Sequence, residues 1–250
     1  VVGAPIDADG VQVDALERLI DEHKPKLVYL VPSFANPSGA MLSLERRRRI
    51  LEIAARTRTL VVEDDPYGEL YFGAPPPPSM LALSKDVPGS RDWVAYCGSF
   101  SKILSPGLRA HPSLPANATM CKQFADAHTS NLTQAVAAHY LTLGRMDATL
   151  ARVRTTYAER ARVMAQSLQR ELGDAIAFDA PQGGMFFWAR LAGGRDAGAF
   201  AQRAIEKLVA FVPGAPFYAR EPDRSTLRLS FATADLAKIE EGIARLGAAL

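Results

Sequence analysis

Apolar and polar positions alternate in two rhythms along the first half of this chain. Val13-Asp14-Ala15-Leu16-Glu17-Arg18-Leu19-Ile20 repeats its apolar residues at helical spacing, whereas Leu27-Val28-Tyr29-Leu30-Val31 is a short, almost wholly apolar run. A second helix is predicted from Ser43 to about Arg56. Ser43 can cap its first amides, Glu45 suits the positive end of its dipole, and Ile50, Leu51 and Ile53 supply an inner face. Thr59-Leu60-Val61-Val62 and Trp93-Val94-Ala95-Tyr96-Cys97 read as two more buried strands. Apolar strands separated by amphipathic helices predict a parallel sheet covered on both faces, with ligands bound beyond the carboxyl ends of its strands. Pro75 to Pro78 can continue neither a helix nor a central strand, so they mark a surface loop.

The second half changes character. Residues 150–172 form one long helical pattern, with Leu150, Val153, Tyr157, Ala161, Met164 and Leu168 on one stripe. Gly183 to Trp188, Val209 to Val212 and Thr226 to Phe231 then read as strands, and a closing helix is predicted from Thr233. The fold class predicted is α/β: a large domain over residues 1–147 with a mostly parallel sheet, and a smaller C-terminal α/β domain over residues 148–250 that includes the long linking helix.

Composition narrows the class without identifying it. With 250 residues, 48% of them hydrophobic, the chain can bury a sizeable core. Its net charge of +2 makes no electrostatic case for nucleic acid or an anionic membrane as the main partner. The basic run Arg46 to Arg49 follows a helix cap and is expected to be a solvated face. Two cysteines, Cys97 and Cys121, imply no disulfide framework and fit a reducing cytoplasm. The four histidines show no metal-ligand spacing, so no metal is expected, and no Gly-x-Gly-x-x-Gly fingerprint follows a strand. No apolar run approaches the roughly 20 residues that span a bilayer. A first residue other than Met suggests a fragment or a processed product.

Chemistry concentrates in three segments, each following the end of a predicted strand: Asn36-Pro37-Ser38-Gly39, Glu63-Asp64-Asp65-Pro66-Tyr67-Gly68, and Gly98-Ser99-Phe100-Ser101-Lys102 leading to Arg109. In the last, one lysine follows two hydroxyls and precedes an arginine by seven residues. An amine that bonds a carbonyl, together with hydroxyls and a guanidinium that grip a phosphate, suits pyridoxal 5′-phosphate, whose aldehyde and phosphate must both be fixed. Arg228, in Thr226-Leu227-Arg228-Leu229, is an arginine within an otherwise apolar strand, which is costly unless it meets an anion.

On these motifs the chain resembles the fold-type I pyridoxal phosphate-dependent aminotransferases of class I/II, in particular the 2-aminoadipate, kynurenine and aromatic aminotransferase subgroup. The resemblance runs the length of the sequence, with four motifs in the family's order. It implies that Lys102 is the Schiff-base lysine, which also shuttles a proton, and that Ser99, Ser101 and Arg109 bind the cofactor phosphate. Asp64 would pair with the pyridine nitrogen. Its neighbour Asp65 competes for that role, but the family spacing Asp-x-x-Tyr favours Asp64 with Tyr67. Tyr67 and Asn36 would hydrogen-bond the phenolic oxygen, and Arg228, with Asn36, would bind the substrate carboxylate. Gly183 to Phe186 and Val212 to Phe217 are expected near the site. The implied function is transfer of an amino group between an amino acid and a 2-oxo acid, 2-oxoglutarate by resemblance, in a cytoplasmic homodimer without nucleic acid or membrane partners. The alternatives are the aminotransferase-like effector domain of a GntR/MocR-type transcription regulator, a pyridoxal phosphate lyase, and a remnant without function.

Two departures from the family stand out. An N-terminal part, with its phosphate loop and the ring that stacks on the cofactor, is expected to be missing. After Arg109, the segment Ala110-His111-Pro112-Ser113-Leu114-Pro115 cannot pair as a central strand. Either a strand beside the site is rebuilt as a loop, or the segment carries a sequence error.

Overall fold

The computed structural model describes residues 1–105 and 130–250. It opens with a short antiparallel hairpin, β1 (Ile6–Asp7) and β2 (Gly10–Val11), in which Asp7 pairs with Gly10. Helix α1 (Val13–His23) follows and buries Val13, Ala15, Leu16 and Ile20. Strand β3 (Leu27–Leu30) leads through a loop to α2 (Leu44–Thr57). Ser43 caps α2 by accepting the Arg46 amide, Glu45 lies in its first turn, and the helix stops where Arg58 turns left-handed. Strands β4 (Leu60–Asp65) and β5 (Val94–Gly98) complete a three-stranded parallel sheet in the order β3-β4-β5, with the short helix α3 (Met80–Leu83) between them in sequence.

One face of this sheet is packed. Val28, Val61 and Val94 share a core with Leu16 and Ile20 of α1, Ile50, Leu51 and Ile53 of α2, and Met80 of α3. The expectation of cover on both faces is corrected for the described residues. Leu27 and Tyr29 of β3 remain 49% and 57% exposed, and Cys97 of β5 is exposed as well. The alternation of a strand accounts for this, since residues two apart share a face.

The expectation of a solvated face at Arg46 to Arg49 is also corrected. Arg46 reaches across to Asp7 at 2.6 Å, and Arg49 pairs with Glu17 and Glu52. Arg47 is buried and lies 3.7 Å from the equally buried Glu63. A run of four like charges on a helix cannot all face water, because successive residues turn by about 100°.

After α4 (Asn131–Thr142), helix α5 (Met146–Leu172) carries the expected stripe, with Leu150, Ala161, Met164 and Leu168 buried. It packs against an antiparallel sheet of order β6-β7-β9-β8, formed by β6 (Ile176–Phe178), β7 (Phe186–Leu191), β8 (Val212–Pro213) and β9 (Thr226–Ser230). Helices α6 (Ala197–Glu206) and α7 (Leu236–Gly247) close this second core. Phe187 lies at its centre, fully buried, with ring centroids 5.5 Å from Phe178 and 5.9 Å from Phe231. Among the described residues no helix is long and apolar enough to cross a membrane. Phe187→Ala would leave a cavity that its neighbours on two strands cannot fill, so it is expected to cost about 3–5 kcal/mol, read as a lower midpoint in urea unfolding.

Candidate active site

The acidic stretch read as a loop beyond β4 is the end of β4 itself, and this separates its three carboxylates. Glu63 and Asp65 point to the packed face. Asp64 points to the open one, where the Tyr29 hydroxyl of neighbouring β3 donates to it. Asp65 is occupied locally. It accepts the Gly68 amide at 2.9 Å and the Tyr96 hydroxyl at 3.4 Å, and burial raises its pKa against these bonds and the Arg47 charge. Asp64 and Asp65 therefore differ in setting: among the described residues Asp64 lies on the face left open beside Tyr29 and Cys97, and Asp65 on the packed face.

Asn36 sits in a compact loop after β3. The Gly39 amide donates to the Ala35 carbonyl at 2.7 Å, Ala35 to Ala40 at 3.1 Å, and Leu42 to Pro32 at 2.8 Å. The Asn36–Pro37 peptide bond is cis. Gly39 adopts φ +70°, a conformation that side chains with a Cβ rarely take. From this loop the Asn36 Oδ1 accepts a 2.6 Å hydrogen bond from Arg228 of β9, 192 residues away.

Arg228 is half-buried among aromatic rings. Its guanidinium carbon lies 4.4 Å from the Phe186 ring centroid and 5.0 Å from that of Phe217. Phe186 in turn meets Tyr67 edge to face at 6.1 Å. Tyr67 is buried in the turn after β4, and burial raises its phenol pKa. The Arg228 charge and a hydrogen bond with Asn36 lower it, while Asp64 adds to the rise. The expected proximity of Gly183–Phe186 and Val212–Phe217 to the site is seen directly. A Cβ on Gly183 would lie 2.5 Å from the Phe34 ring, so only glycine admits this approach of the second sheet to the Asn36 loop.

At the end of β5 the Ser99 hydroxyl donates to Ser101 Oγ at 2.9 Å and accepts the Ser101 amide at 3.1 Å. Lys102 follows in an exposed turn and makes no hydrogen bond or ion pair with a described residue. Register sets this segment beside the acids: Asp64 pairs with Cys97, and Asp65 with Gly98. Arg109 and the Pro-rich stretch after it lie outside the described residues, as do Cys121, His111 and His128. Among the described residues no group of His, Cys, Asp or Glu is placed to hold a metal ion.

Sequence reasoning missed three participants. Tyr29 was one more apolar position of a buried strand, and its only signal is a polar tip in a run that otherwise has none. Phe186 and Phe217 lay in segments expected near the site, but nothing in their spacing announced that both would flank Arg228.

A parallel sheet with acidic, hydroxyl and lysine side chains at its carboxyl ends, met by an arginine from a second sheet, defines an α/β enzyme-type site. The family described as aminotransferase class I and II matches residues 4–246, and the chain belongs to it. It is 43% identical to a 2-aminoadipate transaminase of Thermus thermophilus, over 98% of this chain and 62% of that protein. It is 36% identical to an aromatic-amino-acid aminotransferase of Thermococcus litoralis, over 98% of this chain and 60% of the relative. The crystal structure of the alpha-aminoadipate aminotransferase LysN from Thermus thermophilus, complexed with N-(5′-phosphopyridoxyl)-L-leucine, superimposes with a TM-score of 0.91 at 42% identity, covering 99% of this chain and 64% of that one. An uncharacterized HTH-type transcriptional regulator of Bacillus subtilis is also similar, at 32% identity over 96% of this chain and 49% of the regulator. The chain therefore spans less than two thirds of the length of these relatives.

The Tyr29–Asp64 contact predicts a titration. Burial, the hydrogen bond to Asp64 and the charge of its carboxylate push the Tyr29 phenol up to about 12. A phenol whose pKa is raised on folding stabilises the fold below its unfolded value of about 10, and that contribution is lost as pH rises through 12. Followed by phenolate absorbance, Asp64→Asn is expected to shift this step from about 12 toward 10 without reaching it, because burial remains.

Proposed function

We propose that this chain is the cofactor- and substrate-binding part of a pyridoxal 5′-phosphate-dependent aminotransferase, moving an amino group between an amino acid such as 2-aminoadipate and a 2-oxo acid, with 2-oxoglutarate as acceptor. The observation that carries this reading is the convergence of Asp64, Tyr67, Asn36 and Arg228 at the open end of the parallel sheet, with Arg228 already bonded to Asn36 at 2.6 Å.

The residues present fit the cofactor chemically. Asp64 would hold the pyridine nitrogen, Tyr67 and Asn36 the phenolic oxygen, and Ser99, Ser101 and Arg109 the phosphate, while Lys102 supplies the amine. When bound, pyridoxal phosphate supplies a carbonyl that takes up the amino group and a protonated ring that holds the electron pair released with the α-proton. Asp64 would offer its carboxylate to the ring nitrogen, and the Tyr29 hydroxyl, which donates to that carboxylate, would orient it. The amine of Lys102, which makes no hydrogen bond or ion pair with a described residue, would accept the proton released from the substrate α-carbon. Arg228 offers a planar fork to the substrate carboxylate, and Phe186 and Phe217 keep water from its faces, which strengthens its attraction for an anion. Asn36 holds that fork in place.

We further propose that residues 1–147 and 148–250 are the large and small domains, which two separate buried cores support. A homodimer in the cytoplasm completes the reading by analogy with the family. The similarity to a regulator sustains a second reading, an effector domain that binds the cofactor without turnover.

Incubation of the purified protein with pyridoxal phosphate, 2-aminoadipate and 2-oxoglutarate separates the cases. Glutamate formed only when both substrates are present supports transamination; release of ammonia without an acceptor indicates a lyase; cofactor absorbance without product indicates the effector reading. Lys102→Ala is expected to abolish glutamate formation, and a variant with parental rate refutes the role of Lys102. Arg228→Ala removes a charged hydrogen-bonding partner worth about 1.5–3 kcal/mol, so the KM for the amino acid is expected to rise about 10- to 150-fold.

A further inference from the structure

We propose that Arg47 is a positioning residue that locks the two ends of the Asn36 loop to each other and to the segment at Pro78, behind the strand that carries Asp64. The guanidinium lies 3.7 Å from Glu63, too far for a hydrogen bond between them, although both side chains are buried. Its donors go instead to four other places. Nε donates to the Leu42 carbonyl at 2.9 Å, and Nη1 to the Pro78 carbonyl at 3.3 Å. Nη2 donates to the Pro32 carbonyl at 3.1 Å and to Ser33 Oγ at 2.9 Å. Pro32, Ser33 and Leu42 are the two ends of the loop that presents Asn36.

Glu63 mirrors this arrangement from β4. Its carboxylate accepts the Met80 amide at 2.9 Å and the Leu81 amide at 3.1 Å, at the start of α3. The neighbouring residue on the same strand is Asp64, which faces the other way into the site. One buried pair therefore joins the loop behind Asn36, the segment from Pro78 to Leu81 and the strand that carries Asp64.

The cost of burial makes a purely cohesive role a poor explanation. A buried ion pair is often no more stabilising than apolar residues of the same volume. What an apolar replacement cannot do is hold four acceptors on two segments at set distances, and a lysine, with one nitrogen, cannot span them either. Burial lowers the Arg47 pKa, while Glu63 and Asp65 raise it, so the charge is kept where the fork needs it. Asn36 in turn is bonded to Arg228. A loosened loop would misplace the amide that steadies the carboxylate clamp, and this last step rests on the aminotransferase reading.

The test compares Arg47→Lys with Glu63→Gln in the intact protein, by amide hydrogen exchange and by steady-state kinetics. Exchange at Ala35, Gly39 and Leu42, whose amides close the loop, is expected to quicken about tenfold or more in Arg47→Lys. Glu63→Gln keeps the fork and is expected to leave these amides protected, as are those of β7 and β9 in both variants. The KM for the amino acid is expected to rise about tenfold in Arg47→Lys, with a smaller change in kcat. Equal loosening by both variants, or unchanged exchange in Arg47→Lys, overturns the proposal. Should Arg47→Lys fail to fold, Ser33→Ala, which removes one acceptor, carries the test: several-fold faster exchange at the same three amides supports the lock, and no local change overturns it. Faster exchange in a protein that shows no transamination in its parental form would leave the lock standing and remove the aminotransferase reading.

Discussion

A strand presents its side chains alternately to two faces, and β4 applies that rule to three consecutive acids. Glu63 and Asp65 enter the packed side, where burial raises both their pKa values and where backbone amides and Arg47 answer them. Asp64 is left alone on the open face with the Tyr29 hydroxyl. Had the register slipped by one residue, two carboxylates would face the site and one the core, and Arg47 would lack its counter-charge. The chemistry proposed for this protein depends on that single parity. It is held by four pairings between β3 and β4 and by five between β4 and β5.

The second constraint is the meeting of the two halves of the chain. Three of its contacts lie close to the candidate site. Arg228 bonds Asn36. Phe34, buried in the Asn36 loop, lies against Gly183 and Gly184. Arg154 of the long helix bonds the Glu69 carbonyl at 2.8 Å and lies 3.7 Å above the Tyr71 ring. Each joins a segment beyond a parallel strand to the antiparallel sheet or its helix. On the proposed reading, Arg228 of one sheet and Asp64 of the other would act on the same substrate, so their relative placement depends on how rigidly these contacts hold.

Much of this was legible in the sequence, because the strongest signals are local. The helical spacing from Val13 to Ile20, the cap at Ser43 and the stripe from Leu150 to Leu168 all correspond to observed elements. Helices α4 and α6 went unread, and so did β6, whose three residues are too few to show a period. The site was legible in its residue types and less so in its geometry. Asp64 was separated from Asp65 by the spacing of a family, whereas the structure separates them by the pleat of a strand that runs three residues further than its apolar stretch. Arg47 was unreadable for a different reason. In a run of four arginines nothing local marks which one turns inward, since that depends on Glu63, sixteen residues away, and on carbonyls of loops whose paths are tertiary facts.

The surroundings of Arg228 show how the second sheet prepares for an anion. Register aligns Trp188 with Arg228 and Phe186 with Ser230, so β7 sets two aromatic residues, on the same face of their strand, alongside the arginine. The turn after β8 adds Phe217 and Tyr218, whose rings lie 5.8 and 6.3 Å from Trp188. An arginine flanked by aromatic faces loses part of its hydration. Water competes less for its donors, and attraction to a carboxylate strengthens as the local dielectric falls. Asn36 can satisfy one donor but brings no charge, so it steadies the guanidinium without neutralising it.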